Sequence, residues 1–90
     1  MIELTRFTAH DRARLLAART AMLADFEADR EGFLGARLVE LPGGEWLDIV
    51  EWRSAADFRA SRAKGPNRPG IAEFFGAIDG LVSDEQGEAR

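Results

Sequence analysis

The residues of this 90-residue chain best suited to chemistry lie in one stretch, Trp46-Leu47-Asp48-Ile49-Val50-Glu51-Trp52. Asp48 is a carboxylate among apolar neighbours, and an ionised carboxylate taken out of water is costly unless it is partnered. Two readings compete. In one, Asp48 forms an ion pair with Arg37. In the other it is a general base toward a phenol or hydroquinone, a role that burial favours and an ion pair opposes. Trp52 is the candidate catalytic partner, a flat wall on which a ring stacks. Arg37, Trp46, Phe33 and Phe58 are the candidate substrate contacts. The same aromatic and arginine side chains also suit a core or a subunit interface. Proton removal would matter because an electron-rich anion can reduce O₂ directly, the protein supplying a dry, oriented cavity. His10, at the start of a helix, and Asn67 and Arg68, in a Gly/Pro loop, read as solvated and turn residues.

These side chains need elements to hold them. Met1–Phe7 alternates as a strand, with Ile2 and Leu4 on one side and Glu3, Thr5 and Phe7 on the other. Thr8 and Asp11 resemble a capping box opening a helix from Ala9 to about Arg30, with Leu15, Ala18, Met22 and Phe26 on one face. Phe33–Leu41 and Trp46–Arg53 read as strands of a hairpin. A two-residue Gly43-Gly44 turn, or a four-residue loop, sets Leu41 opposite Trp46, Val39 opposite Asp48 and Leu38 opposite Ile49. That register puts Arg37, Asp48, Trp46, Val50, Trp52 and Phe33 on one face. Leu38 and Ile49 lie on the other, which is expected to meet Met22, Phe26, Phe74 and Ile78 in the core. Both faces are largely apolar, so the aromatic one is expected to be covered by a second subunit.

Ser54 and Asp57 open a helix over Ala55–Lys64, and Pro69 leads another over Gly70–Asp79. Leu81-Val82-Ser83 opens a last strand, with residues 84–90 a polar end expected to fray. The order β-α-β-β-α-(α)-β is the split βαβ pattern of ferredoxin-like α+β folds, with an antiparallel sheet and helices on one face. Residues 1–90 form a single domain.

Composition bounds the function. There is no Cys and one His, which argues against disulfides, thiolate chemistry and a zinc centre. A net charge of −4 lacks the basic footprint of a nucleic-acid binder. The N-terminal segment has no signal-peptide pattern, and no apolar run approaches the roughly 18 residues of a membrane span. A cytoplasmic protein that binds neither nucleic acid nor membrane is expected.

Gly32-Phe33-Leu34-Gly35-Ala36-Arg37-Leu38 and Trp52-Arg53-Ser54-Ala55-Ala56-Asp57-Phe58 resemble the antibiotic biosynthesis monooxygenase family. Its marks are a Gly-Phe opening the second strand and a Trp-x-Ser that ends the third strand and caps a helix. The resemblance implies a dimeric α/β barrel. It also implies oxygenation of a small aromatic, quinol, phenol or polyketide-like, without a cofactor. Polyketide-oxidising members carry an Asn four residues before the Trp and a Tyr six after it; here those positions are Asp48 and Phe58, and the Trp is Trp52. Quinol-oxidising members often carry a His in the following helix, near Ser61. With the Tyr and His replaced, a non-catalytic small-molecule-binding or accessory protein on the same scaffold is the alternative to a monooxygenase.

Overall fold

The computed structural model describes residues 1–90. The chain runs β1 (Ile2–Thr8), α1 (Arg12–Asp29), β2 (Phe33–Glu40), β3 (Glu45–Trp52), α2 (Ala55–Lys64), α3 (Pro69–Gly76) and β4 (Gly80–Gly87). The strands form one antiparallel sheet in the order β2-β3-β1-β4, the ferredoxin-like α+β arrangement expected from the element order.

Local chemistry sets the element ends. The cap of α1 is Asp11, whose carboxylate accepts from the Arg14 backbone N–H at 3.0 Å; Thr8 belongs to β1 instead. His10 therefore precedes the helix, and its backbone N–H donates to Asp79 at 2.7 Å. Ser54 caps α2 as its sequence predicts, accepting from the Asp57 N–H at 3.1 Å. Gly70 lets α3 lie tight on α1, because a Cβ there would sit 2.5 Å from the Ala21 carbonyl group. The polar C-terminal stretch does not fray at Asp84: β4 pairs with β1 as far as Ile2 opposite Gly87.

The hairpin register corrects the expected one. Glu40 pairs with Trp46, Leu38 with Asp48 and Arg37 with Ile49. The turn holds three residues, Pro42–Gly44, closed by the Leu41 N–H on the Glu45 carbonyl at 2.8 Å, with Gly43 and Gly44 at φ 77° and 76°. Pro42 has no N–H to offer a ladder and joins the turn. An odd loop replaces an even one, and a one-residue slip moves every side chain of β2 to the opposite face. A register shift between Phe33 and Gly35 leaves Leu34 bulged and exposed, and returns Phe33 to face Trp52.

Phe7, Trp46, Val50 and Trp52 are buried under Leu15, Met22 and Phe26 of α1 and Ile71 and Phe74 of α3. Leu38 and Ile78 pack against this core as expected. Ile49 does not. With Ile2, Leu4, Val39 and Leu47 it lies half-buried on the other sheet face, beside exposed Arg37. The aromatic face is thus closed by the chain's own helices and not by a second subunit. No helix is long and apolar enough to cross a membrane.

Candidate functional site

A cavity of about 270 Å³ lies between the sheet and the helices. Phe26, Met22, Phe74 and Val50 give it apolar walls. Its polar points come from Arg62 of α2 and from one row across the sheet. Asp48 on β3 stands opposite Thr5 on β1, which stands opposite Asp84 on β4, with Glu3 two residues along β1. Alternation along each strand sends all four side chains to the helix side.

Asp48 is 8% exposed and held by two charge-assisted bonds from Arg19 of α1. Nη1 donates to Oδ2 at 2.7 Å and Nη2 to Oδ1 at 2.8 Å. The guanidinium lies 5.2 Å from the centroid of the Phe74 ring. Burial pushes the Asp48 carboxyl up from the ordinary aspartate value; Arg19 opposes that shift, and the charge of Glu3 adds to it. A bidentate arginine uses about two of a carboxylate's roughly four lone-pair sites, so Asp48 retains acceptor capacity toward the cavity.

At the other end, Glu3 joins two groups. Its Oε1 accepts from the Trp52 indole Nε1 at 3.0 Å, and its Oε2 from Arg62 Nη2 at 2.8 Å. Arg62 Nη2 also donates to Asp84 Oδ1 and Oδ2 at 3.0 and 2.9 Å, while the guanidinium lies 4.8 Å from the Phe58 ring centroid. A second cavity, about 120 Å³, lies beyond this bridge, lined by Phe58, Ser61, Arg30 and Gly65. The two cavities share Glu3, Phe26, Arg62 and Phe75.

Of the candidates from sequence, Asp48 lines the main cavity and Phe58 the smaller one. Trp52 lines neither. It is 1% exposed, edge-on to Phe33 at 5.8 Å between centroids, and reaches the site through Glu3. Phe33 packs on Phe26 and Trp52. Trp46 is buried outside both cavities, with its Nε1 unpaired. Arg37 is on the opposite sheet face, so its expected pairing with Asp48 is replaced by Arg19. Sequence reasoning missed Arg19, Glu3, Arg62 and Asp84. A signal for Arg19 was present: it follows Ala18 in the buried series Leu15, Ala18, Met22, Phe26, four residues after Leu15 and three before Met22, where a helix turns inward. Glu3 likewise alternates with Thr5 and Phe7. No group of three or more His, Cys, Asp or Glu side chains is placed to hold a metal ion.

No protein-family model matches the chain, and no curated protein matches it. Solved structures do. SnoaB from Streptomyces nogalater, a cofactor-independent oxygenase, superposes at a TM-score of 0.71 with 23% identity, over 99% of this chain and 91% of that one. An asparagine-to-alanine variant of SnoaB superposes at 0.74 with 18% identity, over 99% and 93%. A Caulobacter crescentus CB15 protein, provisionally named an antibiotic biosynthesis monooxygenase, superposes at 0.70 with 12% identity, over 93% and 83%. The chain has the fold of these proteins along nearly its whole length. The resemblance drawn from Gly32-Phe33 and Trp52-Arg53-Ser54 therefore stands at the level of the fold.

Proposed function

We propose that the chain is a cofactor-independent monooxygenase for a small aromatic with an ionisable hydroxyl, of the phenol, hydroquinone or anthrone class. The observation that carries this reading is Asp48, a buried carboxylate on the wall of a largely apolar cavity of about 270 Å³. A ring held among Phe26, Met22 and Phe74 donates its hydroxyl, or enol, hydrogen to Asp48. Burial makes the carboxylate a better base than it is in water. Arg19 keeps it aimed and balances its charge. The resulting anion is electron-rich enough to reduce O₂. For an anthrone, the methylene carbon becomes a carbonyl: one oxygen atom enters it, and the other leaves as water with the two methylene hydrogens. Apolar walls limit the competing water around the anion. Trp52 acts as a positioning residue, holding Glu3 through its indole N–H. The fold shared with SnoaB supports the same reading.

The test is O₂ uptake and product formation with a series of phenols, hydroquinones and anthrones and no added cofactor. Asp48→Asn should slow turnover by about 10²–10⁴-fold, the usual worth of a general base. An Asn variant that keeps most of the activity would remove the base role. A second reading is a binding or accessory protein, favoured by the fact that both Asp48 oxygens already accept from Arg19. Saturable binding without turnover across the series would establish it.

We also infer a homodimer. Ile2, Leu4, Val39, Leu47 and Ile49 form an apolar sheet face on which none of the three helices packs. A stable interface there should bury about 2,000 Å² or more in total. Sedimentation should give the dimer mass, and Leu47→Glu should give the monomer. A wild-type protein that stays monomeric at micromolar concentration would overturn the inference.

A further inference from the structure

Arg62 stands between the two cavities. Four residues form their common wall, and they differ in how firmly they are held. Phe26 belongs to the buried core, and Glu3 lies on the central strand β1, bonded to the Trp52 indole. Phe75, on α3 next to buried Phe74, is 43% exposed but has a short, rigid side chain. Arg62 is a long, flexible side chain, 48% exposed, held across the gap by Glu3 and Asp84. Glu3 is 13% exposed, but the Arg62 guanidinium keeps part of its hydration, and ordering so long a side chain costs entropy, which weakens its hold on the two carboxylates. Of the four, Arg62 has the longest and most flexible side chain, and it can swing aside without disturbing the core.

We propose that residue 62 is a specificity-determining partition. The two cavities are parts of one ligand site, and the Arg62 side chain sets the length of apolar ligand it accepts by closing off the chamber of about 120 Å³. That chamber suits the distal ring of an uncharged, two-ring ligand. Phe26, Phe58 and Phe75 supply apolar surface to it, and the Ser61 hydroxyl supplies a polar point. Ser61 Oγ accepts from buried Arg30 Nε at 2.8 Å and keeps its own hydrogen to donate. The flanking carboxylates of Glu3 and Asp84 disfavour an anionic ligand at this junction. The inference rests on the reading of the main cavity as a ligand site.

The experiment compares affinities of 2-naphthol, a compact probe, and 4-phenylphenol, an elongated one, by calorimetry or fluorescence. The wild-type protein, Arg62→Ala and Arg62→Met are each measured. Arg62→Ala should shift the affinity ratio toward 4-phenylphenol by about tenfold or more, in the range that added apolar contacts supply in a pocket. Arg62→Met removes the charge but keeps a long stem over Phe58, and should leave the ratio near that of the wild type. Arg62→Ser, equally short, repeats the measurement independently should the alanine variant fold poorly. With the elongated probe bound to the short-side-chain variant, backbone amide shifts should move at Phe58 and Gly65. An unchanged ratio in the short variants, or a methionine variant that behaves like alanine, overturns the partition while leaving the main cavity intact as a site. If the wild-type protein binds neither probe, the reading of the main cavity fails, and the partition falls with it.

Discussion

Arginine meets carboxylate at both ends of the main cavity. At one end the Arg19 and Asp48 side chains are 8% and 11% exposed. At the other Arg62 is 48% exposed and shares Glu3 and Asp84. The bond lengths are nearly the same, 2.7–2.8 Å for the first pair and 2.8–3.2 Å for the second cluster. The surroundings differ. Two charges out of water each carry a desolvation cost that only the other can offset, so neither member of the inner pair is dispensable alone. At the outer cluster Glu3 is 13% exposed, but Arg62 and Asp84 are 48% and 27% exposed and keep part of their hydration, and Glu3 has the Trp52 indole as a second donor, so parting them costs less. One geometry therefore yields a fixed fixture at Asp48 and a movable one at Arg62.

The sharpest way to break this comparison is to remove one charge at each end. Arg19→Met leaves a buried carboxylate without a partner and should lower unfolding free energy by about 3–5 kcal/mol in urea titrations. The double change Arg19→Met with Asp48→Leu should recover most of that loss, because the stranded charge is gone. Arg62→Ala should cost less, about 1–3 kcal/mol, because Arg62 is half in water and Glu3 keeps the Trp52 indole as a donor. Equal costs at the two ends would show that burial does not distinguish them.

The smallest expected effect is in pH dependence, and its sign separates Asp48 from Asp57 and Glu73. Asp48 is raised above its ordinary value by burial, so over the window between the two values the folded state binds more protons than the unfolded. Its contribution to stability should fall as pH rises through that window. Asp57 is lowered by Arg53 and Ser54, and Glu73 by Arg14; their contributions should be present above the ordinary value and fade as pH drops through the lowered one. Carboxyl ¹³C titration should place the Asp48 midpoint above the usual aspartate range and those of Asp57 and Glu73 below theirs. An Asp48 midpoint below the usual range would mean that Arg19 outweighs burial.

The element order, the α2 cap at Ser54, the Pro69 start of α3 and the gathering of Trp46, Asp48, Val50 and Trp52 on one side of β3 were all legible from the chain. Each rests on residues close in sequence: an alternation, a cap three residues from its partner, a proline preset for a helix start. Asp48 was legible for the same reason, as a charge in an apolar alternation. The partners of these residues were not. Which face of β2 joins Asp48 turned on whether the loop held two residues or three, a difference of one residue that moved Arg37 out of the site and set Leu38 on the same face as Asp48. Which cation neutralises Asp48 depended on α1 lying over β3, a contact 29 residues apart in the chain. The Glu3–Arg62–Asp84 bridge depended on β1 pairing with β4 and α2 folding back beside them. Local pattern determines what each segment can bury. Only the packed fold decides what each buried charge meets, because that choice is made by burial and Coulomb energy summed over elements distant in sequence.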